Sequence, residues 1–345
     1  MTEEQEYELS LEAQGEDGGP SRPLRFLPPG RWVVEVTTRT IQGRFLRLPH
    51  REANAIVKGV IGRANHLFPN VRIIGYWFLS NHWEALLEVP NSATLSAFMN
   101  HVNANLARLL GHLYDWPEKF WSRRYRGIVI VGPRAQIRRL RYLLSQGPKE
   151  NLVALPSEWP GVNCLRGITV GALEFGVWFD GTKEYLSRKR ALKRGKTPKP
   201  RSAFEATYEI RLHPLPCWSK LTVEERQSRA RELVSGIEDE ARTRRRTTGK
   251  APLGVLAILR QKPDHRPKHV ASSPAPLVHA SSKWERRWFN DHYYSFLRRF
   301  REASSRFLAG EPSAINAFPS RCFLPRPPVG LRLQIAEPPA STSAR

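Results

Sequence analysis

The stretch Leu79-Ser80-Asn81-His82-Trp83-Glu84-Ala85-Leu86-Leu87-Glu88 places a histidine and a carboxylate in a largely apolar run. Residues two apart in a β-strand project from the same face, so a strand here would carry His82 and Glu84 side by side. An imidazole and a carboxylate in that arrangement form a two-ligand platform for a metal ion. The alternative is a strand whose polar face meets water, which is common in antiparallel sheets.

The segments around this strand predict a domain of mixed α-helix and β-strand. Apolar and β-branched runs predict strands, and apolar residues three and four apart predict helices. The predicted strands cover 32–38, 71–79, 83–89 and 120–131, and the predicted helices cover 49–68, 92–110 and 133–146. Gly111 and Gly147-Pro148 are expected to end the second and third helices.

The order β-α-β-β-α-β, followed by one more helix, predicts an α+β fold with a ferredoxin-like antiparallel sheet. We expect the first two helices to pack on one face of that sheet. The opposite face would then be free for a ligand. This domain is expected to cover residues 31–162.

Composition divides the rest of the chain into four regions. Residues 1–30 begin acidic and end Pro-rich, which predicts a disordered lead-in. Residues 163–221 are expected to be a basic linker region; its Lys/Arg run at 187–201 is either solvated or an arm that contacts phosphates. A mainly helical, partly disordered basic region follows at 222–310, and a Pro-rich tail at 311–345.

The charge of the chain points to a polyanionic partner. Lys and Arg number 55 against 32 Asp and Glu, which gives a formal net charge of +23 and a pI near 10.6. Nucleic acid is the default partner for such an excess. The chain has neither an apolar run long enough to span a bilayer nor a signal-peptide pattern, so we expect no membrane partner and a cytoplasmic, nucleoid-associated protein.

Three motifs in the first 162 residues resemble those of the single-tyrosine HUH transposases, especially the REP-associated tyrosine transposases. The first is Ser80-Asn81-His82-Trp83-Glu84-Ala85-Leu86-Leu87, on the strand that opens this section. The second is Tyr142-Leu143-Leu144-Ser145-Gln146-Gly147-Pro148-Lys149-Glu150-Asn151-Leu152-Val153. The third is Glu158-Trp159-Pro160-Gly161-Val162.

The resemblance implies an enzyme that nicks and transfers single-stranded or hairpin DNA through a 5′-phosphotyrosine intermediate. Carried over by position, Tyr142 is the nucleophile and His82 the first metal ligand, with Mg²⁺ or Mn²⁺ as the expected ion. Glu84 stands where the family has a second histidine, and Gln146 is a candidate third ligand. The residues expected to position the DNA backbone are Arg123, Arg124, Arg138 and Arg139. A monomer and a homodimer are both compatible with the resemblance.

Glu84 is the main departure from the family pattern. A carboxylate is a good ligand for a hard cation, so metal binding need not be lost. The alternative is a non-catalytic, domesticated DNA-binding protein derived from such a transposase. A third hypothesis is an RNA-binding protein that stacks bases on Trp77 and Phe78 of an open sheet face.

Overall fold

A computed structural model of the chain describes residues 26–267, 276–320 and 322–327. The expectations for residues 1–25 and for 328–345 of the tail lie outside the described residues. Contacts between residues group the chain into two compact units, Leu27–Asp291 and a smaller one that includes residues from His292 onward.

The first four strands and first two helices of the larger unit form the predicted ferredoxin-like arrangement. The elements are β1 (Trp32–Arg39), α1 (Arg51–Leu67), β2 (Arg72–Phe78), β3 (His82–Val89), α2 (Ser92–Leu113) and β4 (Arg126–Val131). The strands pair antiparallel in the order β2-β3-β1-β4. Helix α1 connects β1 to β2, and helix α2 connects β3 to β4. The α+β fold is thus confirmed.

One face of the sheet forms the main core with α1 and α2. Val34, Val36 and Trp83 alternate with the polar residues of their strands and are all buried. The indole Nε1 of Trp83 donates to Asn103 Oδ1 of α2 at 3.1 Å. Each fully buried aliphatic or aromatic side chain of this kind contributes roughly 1.5–3 kcal/mol to stability. This layer therefore fixes the positions of β1 and β3.

The opposite face of the sheet is covered, so the expectation that it is free for a ligand is wrong. Helices α3 (Pro133–Leu144) and α4 (Gln146–Lys149) lie on this side. Gly75 of β2 leaves room for Leu143, whose Cδ2 would lie only 3.0 Å from a Cβ at that position. Trp77 and Phe78 are 1% and 4% exposed, so neither can stack a base, and the RNA-binding hypothesis loses its surface.

Several predicted boundaries are wrong for local reasons. Helix α1 begins at Arg51, after an extended residue at position 50, rather than at Pro49. Helix α2 continues through Gly111, because the chain there is already packed in the core. The third helix ends at Leu144, and Gly147-Pro148 lie inside the short α4 instead of ending a longer helix.

The segment that was expected to be a basic linker region contains regular structure. Helix α5 (Leu165–Val170) is followed by a β-hairpin of β5 (Phe175–Phe179) and β6 (Glu205–Glu209), with α6 (Gly181–Lys193) in the connection. The hairpin packs on α1. Trp178 faces this contact, and the guanidinium of Arg63 lies over its ring at 4.1 Å.

We predict that Gly59→Ala destabilises the protein by roughly 1–3 kcal/mol, the range for an overpacked core. A Cβ on Gly59 would lie 2.3 Å from the backbone oxygen of Val177, and neither backbone can move without separating the hairpin from α1. Gly111→Ala is the matched control, because it also lies in a helix but meets nothing closer than 3.6 Å. Removing that helical glycine stabilises by roughly 0.5–1 kcal/mol. Urea unfolding of both variants checks the opposite signs, and equal effects would contradict the prediction.

Residues 222–291 complete the larger unit. Helix α7 (Val223–Thr248) begins at a capping box, in which Thr222 and Glu225 each accept from the other's backbone N–H. It lies along α3, α4 and α5, and Arg244 Nη2 donates to the Pro148 oxygen at 2.9 Å. After α8 (Val255–Leu259), a short strand β7 (Val278–Ala280) pairs parallel to β4 and makes the sheet five-stranded.

The smaller unit is built around the last helix, α9 (Lys283–Leu308), from His292 onward. Phe300 and Phe307 contact Phe318 edge-on, with ring centroids 5.5 and 5.7 Å apart. In the part of the chain that the structure describes, we find no helix with the length and apolarity needed to cross a membrane.

Candidate active site

The turn between β2 and β3 sets the direction of His82. The Leu79 N–H donates to the His82 oxygen at 2.9 Å, which closes the turn. Arg47 is buried beneath it, and its Nη2 donates to the backbone oxygens of both Leu79 and His82. Thr40 fixes the turn from the other side, because its N–H and its hydroxyl both lie 2.9 Å from the Asn81 oxygen. Five hydrogen bonds therefore hold the turn that leads into β3.

Burial lowers the pKa of Arg47 to about 9. Its Nε and Nη1 are buried and have no hydrogen-bond partner among the residues that the structure describes. Arg47 therefore contributes a fixed positive charge beneath the turn.

His82, Glu84 and Gln146 form one polar cluster on the covered face of the sheet. The Gln146 side chain Nε2 donates to Glu84 Oε2 at 2.7 Å, and His82 Nε2 lies 4.0 Å from Glu84 Oε1. Glu84 pairs across the sheet with Thr37 of β1 and Trp77 of β2, so it lies centrally. The structure thus brings together the three residues that the sequence suggested as metal ligands.

The protonation of this cluster follows from its burial. Burial, with smaller contributions from the positive charges of Arg39 and Arg47, lowers the pKa of the His82 imidazole to about 3. His82 is therefore neutral at pH 7. Burial and the negative charge of Glu35 raise the pKa of the Glu84 carboxyl, although nearby cations oppose this shift.

Tyr142 lies in the last turn of α3, and two cations lie close to its ring. Arg139 Cζ is 3.8 Å from the ring centroid and Lys149 Nζ is 4.1 Å from it. The charges of the same two residues lower the pKa of Glu84. Arg139 and Lys149 thus connect Tyr142 to the His82–Glu84–Gln146 cluster. The helix is interrupted at Ser145, so Tyr142 lies in α3 and Gln146 lies in α4.

Arg139 is itself held by a buried carboxylate. Glu35 of β1 is 3% exposed and accepts from both Nε and Nη2 of Arg139. His279 Nε2 of β7 lies 2.8 Å from the other oxygen of Glu35. Burial alone would raise the pKa of Glu35, but His279 and Arg139 together hold that pKa below its ordinary value. Glu35 is therefore an anion that fixes the cation beside Tyr142.

The four arginines suggested as DNA ligands fall into two groups. Arg123 and Arg124 are exposed just before β4. Arg138 Nη2 donates to the backbone oxygen of Ala280 in β7 at 2.7 Å, and Arg139 binds Glu35. The second pair therefore holds internal structure. The third motif lies along the edge of β2, where the Phe78 N–H donates to the Val162 oxygen at 3.0 Å.

The chemistry of the cluster fits a hard divalent cation. His82 Nδ1 is 2.8 Å from Asn81 Oδ1, which can only accept, so Nδ1 carries the hydrogen and Nε2 keeps its lone pair toward Glu84. Among the described residues no three His, Cys, Asp or Glu side chains are grouped as ligands for one ion. A divalent ion bound here would therefore need the Gln146 amide oxygen as well as His82 and Glu84.

Comparison with known proteins gives structural neighbours only. No protein-family profile matches the chain, and no curated protein matches it. One structural neighbour is a REP-associated tyrosine transposase bound to a REP hairpin, with a TM-score of 0.34 and 15% identity over 52% of this chain and 89% of that one. Another is a candidate transposase from Deinococcus radiodurans R1, with a TM-score of 0.26 and 11% identity over 36% of this chain and 96% of that one. At these TM-scores the similarity carries no argument about function.

Proposed function

We propose that this chain is a DNA-strand nicking and transfer enzyme of the transposase kind, with Tyr142 as its nucleophile. The main support is that the same two cations act on both the Tyr142 ring and the cluster of candidate metal ligands. Arg139 and Lys149 lie beside the Tyr142 ring. The charges of the same two residues act on Glu84, which contacts Gln146 and lies next to the neutral His82. The first and second sequence motifs are therefore neighbours in the fold.

In the proposed reaction, the Tyr142 oxygen forms a bond to the phosphorus of a DNA phosphodiester and the bond from phosphorus to the 3′-oxygen breaks. The tyrosine hydroxyl loses its proton, and the leaving 3′-oxygen gains one, so atoms and charge balance. The product is a 5′-phosphotyrosine and a free 3′-hydroxyl. Because the phosphodiester energy is retained in the new ester, the strand can later be rejoined without a cofactor.

The residues near Tyr142 contribute mainly electrostatics. Arg139 and Lys149 are placed to favour negative charge on the phosphate as the bond to the leaving oxygen breaks. His82, Glu84 and Gln146 are the residues that would hold Mg²⁺ or Mn²⁺. That ion, when bound, supplies Lewis-acid polarisation of the phosphate.

A covalent-adduct experiment tests the proposal. The full chain is incubated with Mn²⁺ or Mg²⁺ and a library of labelled single-stranded and hairpin oligonucleotides, and denaturing gels detect protein joined to DNA. We expect an adduct with some hairpins in the presence of the metal. No adduct across the library with either ion would refute the proposal.

We predict that Glu84→Ala weakens Mn²⁺ binding by more than about 100-fold. Substitution of residues that merely orient metal ligands already costs roughly 10- to 100-fold, so the loss of a direct ligand should cost more. Isothermal titration with Mn²⁺ in the absence of DNA measures the affinity. Glu88→Ala is the matched control, because Glu88 lies on the same face of β3 but binds Arg31 and Arg72 instead. Equal Mn²⁺ affinities in the two variants would remove Glu84 from the site.

The second candidate function is that of a non-catalytic, domesticated DNA-binding protein. The observation that favours it is the electrostatic setting of Glu84. Burial raises the pKa of its carboxyl. The positive charges of Arg39, Arg139 and Lys149 also act on it, and they disfavour the binding of a metal cation. This candidate predicts tight DNA binding that is indifferent to EDTA and to Tyr142→Phe. Adduct formation in the library experiment would exclude it.

A further inference from the structure

The β5–β6 hairpin and its connection, residues 175–209, present a basic and partly apolar surface that is not part of the proposed active site. We call this segment the basic arm. Its inner face is fixed to the body of the protein, because Gly176 and Trp178 are buried against α1. A Cβ on Gly176 would lie 1.9 Å from the backbone oxygen of Lys58, so this contact is made by the backbones themselves. The basic arm therefore has a rigid attachment.

Helix α6 at the outer end of the arm has no buried residue. Most helix stability in proteins comes from packing one face, and an isolated helix of this length is marginal in water. Tyr185 and Leu192, seven residues apart and thus on one side of the helix, are 52% and 64% exposed. Within the described part of the chain, α6 therefore has no packing role. This indicates that the helix contacts a partner molecule.

The charge of the basic arm specifies the partner. Between positions 180 and 201 the chain has nine Lys and Arg residues against two acidic ones. Both acidic residues already have ion pairs, Asp180 with Lys183 at 3.6 Å and Glu184 with Arg188 at 3.5 Å. Exposed cations of α6 and the loop after it make no ion pair with any described residue: Lys189, Arg190, Lys193, Arg194, Lys196 and Lys199. A polyanion fits this surface.

The outer face of the hairpin adds exposed apolar and aromatic side chains beside these cations. Phe175 and Val177 are 51% and 53% exposed, because strand alternation turns them away from α1. The next residue on this face is Phe179, and the Arg201 guanidinium lies over its ring at 3.9 Å. Aromatic rings and guanidinium planes next to free cations are the means by which proteins bind unpaired bases together with their phosphates.

We infer that the basic arm is a second nucleic-acid-binding surface, which binds single-stranded DNA through phosphate contacts of α6 and base stacking on Phe175. A duplex keeps its bases stacked inside the helix, so it could use the cations but not the exposed ring. Single-stranded DNA uses both. Only the choice of DNA rests on the proposed function; the binding surface itself does not depend on Tyr142.

The test compares the full-length wild type with two variants in fluorescence-polarisation titrations against a labelled single-stranded oligonucleotide at several salt concentrations. The first variant replaces four unpaired cations by glutamine: Lys189, Arg190, Lys193 and Arg194. A single-strand phosphate contact contributes about 0.7 to the slope of log affinity against log salt, so the slope should become shallower by about 3 and the affinity near 0.15 M salt should fall on the order of 100-fold.

The second variant, Phe175→Ala, should weaken single-strand binding roughly 5- to 100-fold, the range for one base–aromatic stack. It should leave the salt slope and duplex binding unchanged. A charge-matched control replaces four exposed basic residues elsewhere by glutamine: Arg229, Arg246, Lys250 and Arg260. We expect this control to change affinity much less than the first variant. Thermal unfolding confirms that all variants remain folded.

Two results would overturn the inference. The first is that the four-cation variant binds single-stranded DNA as tightly as the charge-matched control does. The second is that Phe175→Ala weakens duplex binding as much as single-strand binding. Its failure can be told apart from failure of the proposed function. At saturating DNA both arm variants should still form the Tyr142 adduct at the wild-type level. If wild type forms no adduct but the arm variants lose single-strand binding, the arm inference stands and the tyrosine proposal falls.

Discussion

Tyr142→Phe is expected to lower formation of the covalent protein–DNA adduct by at least about 1,000-fold while leaving DNA affinity within a few-fold of wild type. The substitution removes one oxygen, the atom proposed to bond to phosphorus, and keeps the ring beside Arg139 and Lys149. Loss of a nucleophile removes the covalent route entirely, and residual rates then come from binding and electrostatics alone. Denaturing gels measure the adduct, and fluorescence polarisation measures affinity.

Tyr208→Phe is the matched control for this experiment. Tyr208 lies in β6, where its ring packs on His66 at a centroid distance of 4.9 Å, away from the proposed site. Its variant should form the adduct at the wild-type rate. An adduct that persists in Tyr142→Phe and is lost in another tyrosine variant would place the nucleophile elsewhere.

Glu35→Ala is expected to lower the free energy of unfolding by about 3–5 kcal/mol, the usual cost of removing one partner from a buried ion pair. The substitution leaves the Arg139 guanidinium, whose side chain is only 18% exposed, and His279 without their shared carboxylate. Arg139 would then be free to leave the Tyr142 ring. Denaturant unfolding at pH 7 measures the loss.

Glu88→Ala is the comparison that isolates burial. Glu88 also binds two cations, but the side chains of Arg31 and Arg72 are 33% and 49% exposed, so solvent screens the pairs and the loss should be about 1 kcal/mol or less. Equal losses for the two variants would show that the Glu35 network adds nothing special to stability.

The effect of Glu35→Ala should also depend on pH. The folded pKa of Glu35 lies below its ordinary value, so the folded state releases this proton more readily than the unfolded state. Its stabilising contribution is therefore fully present above the ordinary carboxyl pKa and is lost as the pH falls through the folded value. The difference between wild type and variant should be largest near pH 7 and should shrink in acid below about pH 4.

Sequence periodicity predicted the first domain because its strands and helices each have a clear apolar pattern. The runs at 32–38 and 83–89 are strands, and each is followed by a helix, as expected. Patterns failed where a stabilising contact was not local. The hairpin of β5 and β6 pairs strands separated by α6, and its apolar outer face hides the alternation that normally marks a strand. Strand β7 is three residues long and exists because it pairs with the distant β4.

The candidate site was predictable in part for the same reason. His82, Glu84, Tyr142 and Gln146 lie in recognisable motifs, and the structure brings the first, second and fourth into one cluster. Glu35 and His279 were missed. The sequence held only a partial signal for Glu35, since an acidic residue within Val33-Val34-Glu35-Val36 lies either on a solvated strand face or in a buried ion pair. For His279 no local pattern exists, because its role depends on the pairing of β7.

The parallel pairing of β7 with β4 makes the order of synthesis matter for this protein. Until Val278–Ala280 has been synthesised, β4 presents an open row of N–H and C=O groups, and Glu35 of β1 lacks its partner His279. An open strand edge is a template for pairing with another copy of the same chain. Premature termination before residue 278 should thus yield fragments that aggregate through this edge.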